Sequence, residues 1–307
     1  MFNLAHAFLL FFCVVLMVRL TLPTRYVLLN PYAAMLDNFL SKLLKQVHTA
    51  LPLPPKFLCL FLLLFALCAD AVMLSRMQLN KISINDLVVF SFPMHSFLQC
   101  LLIAVLRFFH HLVMIWGGTL FLQAWHRSRT LPGYTGGLLQ LVVWPANRFA
   151  LTLQWSGLLF STIGLAFLFS FWATDIVYPL ETMQTLPGTM GEAARLLHFS
   201  TQSFGVRSVV TGGLMIIEVF AGLHSITLNM ILIALVCVFA RSNSMSYFLN
   251  DVFNLLKGPL PNVKLGILSL TPLLLLLIFS LANSFLSVLL LALIRVALTL
   301  GGFNVVQ

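Results

Sequence analysis

Apolar residues fall along the chain in long runs separated by short polar connectors. Runs at about 3–20, 57–75, 100–125, 150–173, 211–240 and 265–294 each approach or exceed the ~20 residues that cross a bilayer. They predict six membrane-spanning helices. The third and fifth runs are long enough to require tilt. Residues 91–106 offer an interfacial start for the third. The first run, "MFNLAHAFLLFFCVVLMVRL", has no basic n-region and no A-x-A cleavage site, so it is expected to be a retained span. The longest polar stretch, 174–210, is expected outside the membrane.

A different period appears between the first two runs. In "NPYAAMLDNFLSKLLKQVH", Tyr32, Met35, Leu36, Phe39, Leu40, Leu43 and Val47 recur every three or four residues. Asp37, Asn38, Ser41, Lys42, Lys45 and Gln46 take the opposite side. That spacing predicts an amphipathic helix lying in the membrane interface. Pro31 suits its start; Pro52, Pro54 and Pro55 stop it before a span expected from Phe57. The grammar returns after the fifth run. There Met245, Phe248, Leu249, Val252, Leu255 and Leu256 oppose Asn250, Asp251, Asn254 and Lys257, and Gly258-Pro259-Leu260-Pro261 ends the segment. A weaker copy follows the third run, with a basic linker, Pro132, a short apolar segment and Pro145. The unit of span, basic linker, interfacial helix, proline stop and span thus occurs three times at roughly 100-residue spacing. All copies share one orientation, unlike an inverted-repeat transporter. The expected division is a hairpin unit at 1–90, a degenerate one at 91–175, a linker at 176–210 on the non-cytoplasmic side, and a third unit at 211–307. A loop that is amphipathic by chance explains one copy more easily than three.

Composition agrees with the pattern. Of 307 residues 60% are hydrophobic and 8% charged, with mean hydropathy +1.02; a soluble domain carries about 25% charged residues. The expected class is therefore an all-α membrane protein: three hairpins, each with a cytoplasmic interfacial helix. Arg19, Arg25, Lys42, Lys45, Lys56, Arg127, Arg129, Arg148, Arg241, Lys257 and Lys264 follow the odd-numbered spans, 11 of 17 basic residues. The other side holds Arg76, Lys81, Arg195, Arg207 and Arg295, with Asp86, Asp175, Glu181 and Glu192. The bias places the connectors in the cytoplasm and both termini outside it. The net charge of +9 then reports topology, and nucleic acid is not an expected partner. Cys13, Cys59, Cys68, Cys100 and Cys237 all lie in apolar runs without a CxxC, as small core residues.

The connectors resemble those of the YggT family of small integral membrane proteins, known from bacterial inner membranes and chloroplasts. Arg19, Asn30-Pro31 and Leu51-Pro52 match the first family unit in spacing. Arg107, Trp125 and Pro132 match the basic residue, tryptophan and proline that bracket the family's third span. Pro145 and Arg148 resemble its Pro-x-x-Arg, and Pro261, Ser269 and Pro272 resemble its final Leu-Pro and Ser-Pro positions. Leu40-Ser41-Lys42 and Gln46-Val47-His48-Thr49 depart from the family at its Thr-x-Pro and Pro-x-Arg-Arg positions. The last unit lacks the double arginine and the Asp, and there are three units where the family has two. The resemblance implies a bacterial inner-membrane protein without assigned catalytic chemistry or cofactor.

Ionisable groups inside spans are functional candidates by default. Asp70 in the second run and Arg107, His110 and His111 in the third are consistent with an ion pair between Asp70 and Arg107. A proton or ion path, or His111 as a haem or metal ligand, are the alternatives. In the fifth run Glu218, Ser225 and Asn229 share a helical face, and Ser280, Asn283, Ser284 and Ser287 form a matching stripe in the sixth. Such stripes serve helix packing or, alternatively, a solute or proton pathway. No HExxH, phosphate-binding glycine loop or GxSxG is present. The Gly136-Gly137 pair reads as a turn or a close approach. The leading expectation is a non-enzymatic scaffold or assembly factor. Its partners would be the bilayer, anionic lipid headgroups and another membrane-protein complex. The alternatives are a channel or transport component using Glu218, and a haem-binding redox subunit.

Overall fold

A computed structural model describes residues 2–22, 24–76, 81–84, 88–91, 96–172, 175–179, 194–198, 204–209, 211, 212, 215, 243–260, 263–265, 268, 269, 271, 273–275, 277, 278, 281, 285, 292 and 296. The chain is mainly helical. Helix α1 (Phe2–Thr21) leads through the short α2 (Thr24–Leu28) to α3 (Pro31–Ala50) and α4 (Pro55–Arg76). Strands β1 (Lys81–Ile84) and β2 (Val88–Ser91) precede α5 (Phe97–Trp125), α6 (Gly133–Val142), α7 (Trp144–Asn147) and α8 (Leu151–Trp172). Then come β3 (Asp175–Pro179), β4 (Ala194–His198), α9 (Asn243–Lys257) and the small β5 (Lys264–Leu265) and β6 (Leu268–Ser269) pair.

Three helices, α4, α5 and α8, are long and apolar enough to cross a membrane among the described residues. Their outer surfaces carry large apolar side chains: Phe57, Phe61 and Phe65 on α4, Phe109 on α5, and Phe160, Ile163 and Phe167 on α8 are all exposed. Faces of this kind suit lipid, because contiguous exposed apolar surface in water is unfavourable. The chain is thus a helical, membrane-embedded protein. Three of the six expected spans are met by these helices, at bounds within three residues of the expected ones. The first corresponds to α1, a helix of 20 residues whose apolar stretch Phe8–Thr21 is, among the described residues, shorter than a span. Most of the fifth and sixth lies outside the described residues. Helicity near the fifth already begins at residue 204, not at 211, and packs on α8: Phe204 meets Phe167 edge-on at 4.6 Å and Ser208 Oγ lies 2.9 Å from Ser170 Oγ. The polar stretch 174–210 therefore gives up its last residues to a helix.

Successive long helices pack side by side, α1 on α4, α4 on α5 and α5 on α8. Leu10, Cys13 and Val14 of α1 close with Ala66 and Leu67 of α4 and Phe108 of α5. Links alternate between two ends. At one end, β1, β2, β3 and β4 form an antiparallel sheet in that order, pairing Val89 with Val177 and Ile176 with Leu197. These strands were not expected from the hydrophobic pattern. They join the exits of α4 and α8. At the other end, called here the connector end, α3, α6 and α9 gather.

Helix α3 starts where the sequence places it, with Pro31 in its first turn and Asn30 as its cap. It stops at Leu51, before Pro52 and Pro54, whereas Pro55 opens α4 instead of ending α3. Its inward face differs from the expected stripe. Leu40 and Leu44 pack with Leu16 of α1 and Leu58 and Cys59 of α4. Met35 and Phe39 remain 70% and 59% exposed. Asp37, expected on the polar face, is buried and ion-paired with Arg19 of α1. Lys42 and Lys45 are exposed.

Candidate functional site at the connector end

The residues of the three connectors meet through their helix ends. A helix leaves its first N–H groups and last C=O groups without intrahelical partners. At α3, Asn30 Oδ1 accepts from the Tyr32 and Ala33 amides at 3.0 and 3.1 Å. The same side chain, only 6% exposed, donates through Nδ2 to the Tyr134 carbonyl of α6 at 2.6 Å. Gly137 lets this amide approach, since a Cβ there would stand 3.0 Å from Nδ2. The expected close approach at Gly136-Gly137 is therefore real, though the pair lies inside a helix.

Helix α6 has Pro132 at its cap position, and proline gives no side-chain acceptor. The acceptor comes from α9. Asp251 Oδ1 accepts from the Tyr134 amide at 3.2 Å, and Oδ2 accepts from the Thr135 amide and hydroxyl at 2.6 Å each. A carboxylate at a helix N-terminus is also favoured by the helix dipole. Gly133 opens the turn at φ +74°, and a Cβ there would overlap the Asp251 carboxylate.

The C-terminal end of α9 is held in turn by α5. Trp125 Nε1 donates to the Leu256 carbonyl at 3.1 Å, and His126 Nε2 donates to the Leu255 carbonyl at 2.5 Å. Gly258 follows at φ +56°, and a Cβ on it would overlap the Trp125 indole. Beneath these bonds, Val252, Leu255 and Leu256 of α9 pack with Leu122, Leu131 and Leu275. Tyr32 lies edge-on to Tyr134 at 6.1 Å and to Phe248 at 5.5 Å. Partial burial, with Asp251 and Tyr134 nearby, raises its phenol pKa above the ordinary value. Asn30, Trp125, His126 and Asp251 thus spend their polar groups on backbone atoms of another connector or of their own helix, Asp251 also on the Thr135 hydroxyl. The arrangement is a clamp.

Several positions singled out in the sequence lie at this end. Arg19 holds Asp37, Asn30 and Pro31 start α3, Trp125 holds α9, and Pro132 stands at the α6 cap. Pro52 lies in the α3–α4 link, Pro145 in α7, and Arg148 stacks over Trp144 at 4.3 Å. Ser269 is in β6; Pro261 and Pro272 lie outside the described residues. The pattern alone did not reveal His126, Gly133, Asp251 or Gly258 as a set, since their spacing is long and tertiary.

Inside the helices, Asp70 is 2% exposed and lies within electrostatic reach of Arg107 on α5 and Cys13 on α1. His110 is buried and edge-on to Phe169 of α8, while the exposed His111 contacts the Arg107 carbonyl at 2.7 Å. Among the described residues no three His, Cys, Asp or Glu side chains converge in a way that suits a metal. Glu218, Ser225, Asn229 and Asn283 lie outside the described residues. Cys13, Cys59 and Cys100 are buried free thiols, and Cys68 is half-buried. Protein-family profiles, characterised proteins and solved structures give no match to this chain.

Proposed function

We propose that this protein is a six-span scaffold or assembly factor of the YggT type, built from three hairpins and without catalytic chemistry of its own. The reading places it in a bacterial inner membrane, with both termini periplasmic and the connectors cytoplasmic. The observation that carries it is the clamp: three connector helices, far apart in sequence, are tied to one another at one end by Asn30, Trp125, His126 and Asp251. A rigid platform at the membrane edge suits a protein that holds others. Exposed Met35, Phe39 and Tyr247 supply apolar surface on that platform for the leaflet or a partner.

Affinity purification of the full chain in mild detergent tests this reading. A defined membrane complex should accompany the protein, and Asp251→Ala should loosen it. Solute flux in liposomes that depends on Glu218, from protein that purifies alone, would overturn it.

A further inference from the structure

A second feature at the connector end is not used by the clamp. Helix α5 closes with the Arg127 amide on the Ala124 carbonyl at 3.0 Å and the Ser128 amide on the Gln123 carbonyl at 3.1 Å. This pairing usually places glycine at the left-handed position. Here that position is Arg127, at φ +49°. Its side chain is exposed, as is that of Arg129 two residues on.

The turn is held firmly. Gln123, 1% exposed, donates through Nε2 to the Arg129 carbonyl at 2.9 Å, and Gln140 donates to the same carbonyl at 2.8 Å. Arg129 Nη2 donates to the Phe149 carbonyl at 2.6 Å, which fixes the guanidinium beside the start of α8. A guanidinium has five N–H donors, so one nitrogen anchors it while others remain available for a ligand. Between these parts lies an open cleft of about 490 Å³, lined by Gln123, Arg127, Ser128, Arg129, Ala150 and Leu151, with no acidic residue among its walls. Gln123 Oε1 has no hydrogen-bond partner. Ala150 precedes α8 and brings no side-chain acceptor to its first amides, which leaves a positive helix end at the cleft.

Depth identifies the occupant. Helix α8 has 22 residues, about 33 Å by helix rise, close to the ~30 Å hydrocarbon thickness of a bilayer. Its first turn therefore lies at the level of lipid phosphates. We propose that this cleft binds the phosphodiester headgroup of one anionic phospholipid. Arg127 and Arg129 meet the phosphate, and the α8 amides lie beneath it. The proposal rests on the membrane placement of α8 and not on the scaffold role.

Native mass spectrometry of the full chain in neutral detergent, titrated with phosphatidylglycerol, tests the site. Arg127→Gly removes one cation while relieving the left-handed backbone. It should weaken the first binding event about fivefold, the weight of one basic contact to an anionic headgroup, and leave the unfolding temperature equal or higher. Arg129→Gln should weaken it as well. Lys42→Gln with Lys45→Gln, on the exposed side of α3, should leave that first event unchanged. Unchanged affinity in Arg127→Gly and Arg129→Gln overturns the proposal, as does an equal loss in the α3 lysine variant. Displacement of the lipid by excess inorganic phosphate overturns the lipid assignment in favour of a free anion. Each outcome is read on isolated protein, so failure here is separate from failure to recover a complex.

Discussion

Asp251 stands in for the cap that Pro132 cannot give α6, and it does so from 116 residues away. Replacing a capping acceptor with alanine costs about 0.5–2 kcal/mol. Asp251→Ala should therefore lower the thermal unfolding midpoint of purified protein, while Asp251→Asn, which keeps an acceptor, should lower it less. Thr135→Val combined with Asp251→Ala should lose less than the sum of the two, since both delete one bond. At Gly258 the indole of Trp125 occupies the space of a Cβ and φ is positive, so Gly258→Ala should cost about 1–2 kcal/mol or more in the same measurement. Tyr32 carries a pH signature. Its folded pKa lies above the ordinary phenol value of about 10, so its contribution is complete below that pH and is lost as pH rises through the folded value. The decline in stability on the alkaline side should be shallower in Tyr32→Phe. The sequence makes Asn30-Pro31 readable as a helix start because cap and proline are adjacent. Asp251 is readable only as a polar-face residue, because the amides it serves belong to another connector.

At the scale of elements, α3 shows why periodicity locates a helix better than it assigns each flank. The apolar stripe is wider than one neighbour covers. Leu40 and Leu44 meet α1 and α4, while Met35 and Phe39 take the outer edge. Asp37 turns inward because Arg19 neutralises it, and a lone sequence window contains no such partner. The two edges should respond differently. Leu40→Ala should destabilise the protein by about 2–5 kcal/mol, as for a buried large-to-small change. Phe39→Ala should leave unfolding nearly unchanged. A nitroxide at position 39 should be quenched by a lipid-soluble relaxant more than one at Lys42, and equal quenching would put this edge out of the leaflet. The α9 stripe was more legible, since Leu249, Val252, Leu255 and Leu256 are buried and Phe248 is half-buried. Strands β1 to β4 were not, because four- and five-residue segments gain their partners across the chain, as Val89 does with Val177.

At the scale of the molecule, the long apolar runs were the most legible feature, because a span must be continuous. Helices α4, α5 and α8 lie where those runs lie. Their ends sort into a sheet and a clamp, which matches the distribution of Lys and Arg. In a background lacking native cysteines, a membrane-impermeant thiol reagent applied from outside should label a cysteine at Ser83 in β1 and miss one at Asn250 in α9. The reverse pattern would invert the protein in the membrane.

The separation between Asp251 and α6 also sets an order of events during synthesis. The first amides of α6 leave the ribosome 116 residues before the carboxylate that receives them. At about 5–20 residues per second, that interval is roughly 6–23 s. For that time the N-terminus of α6 waits on water or on whatever else offers an acceptor, while α8 is made after it. A chain truncated before Asp251 is held permanently at that stage. Maturation of this end is thus timed by the last third of the polypeptide: the α6 turn closes only after Asp251 has been made.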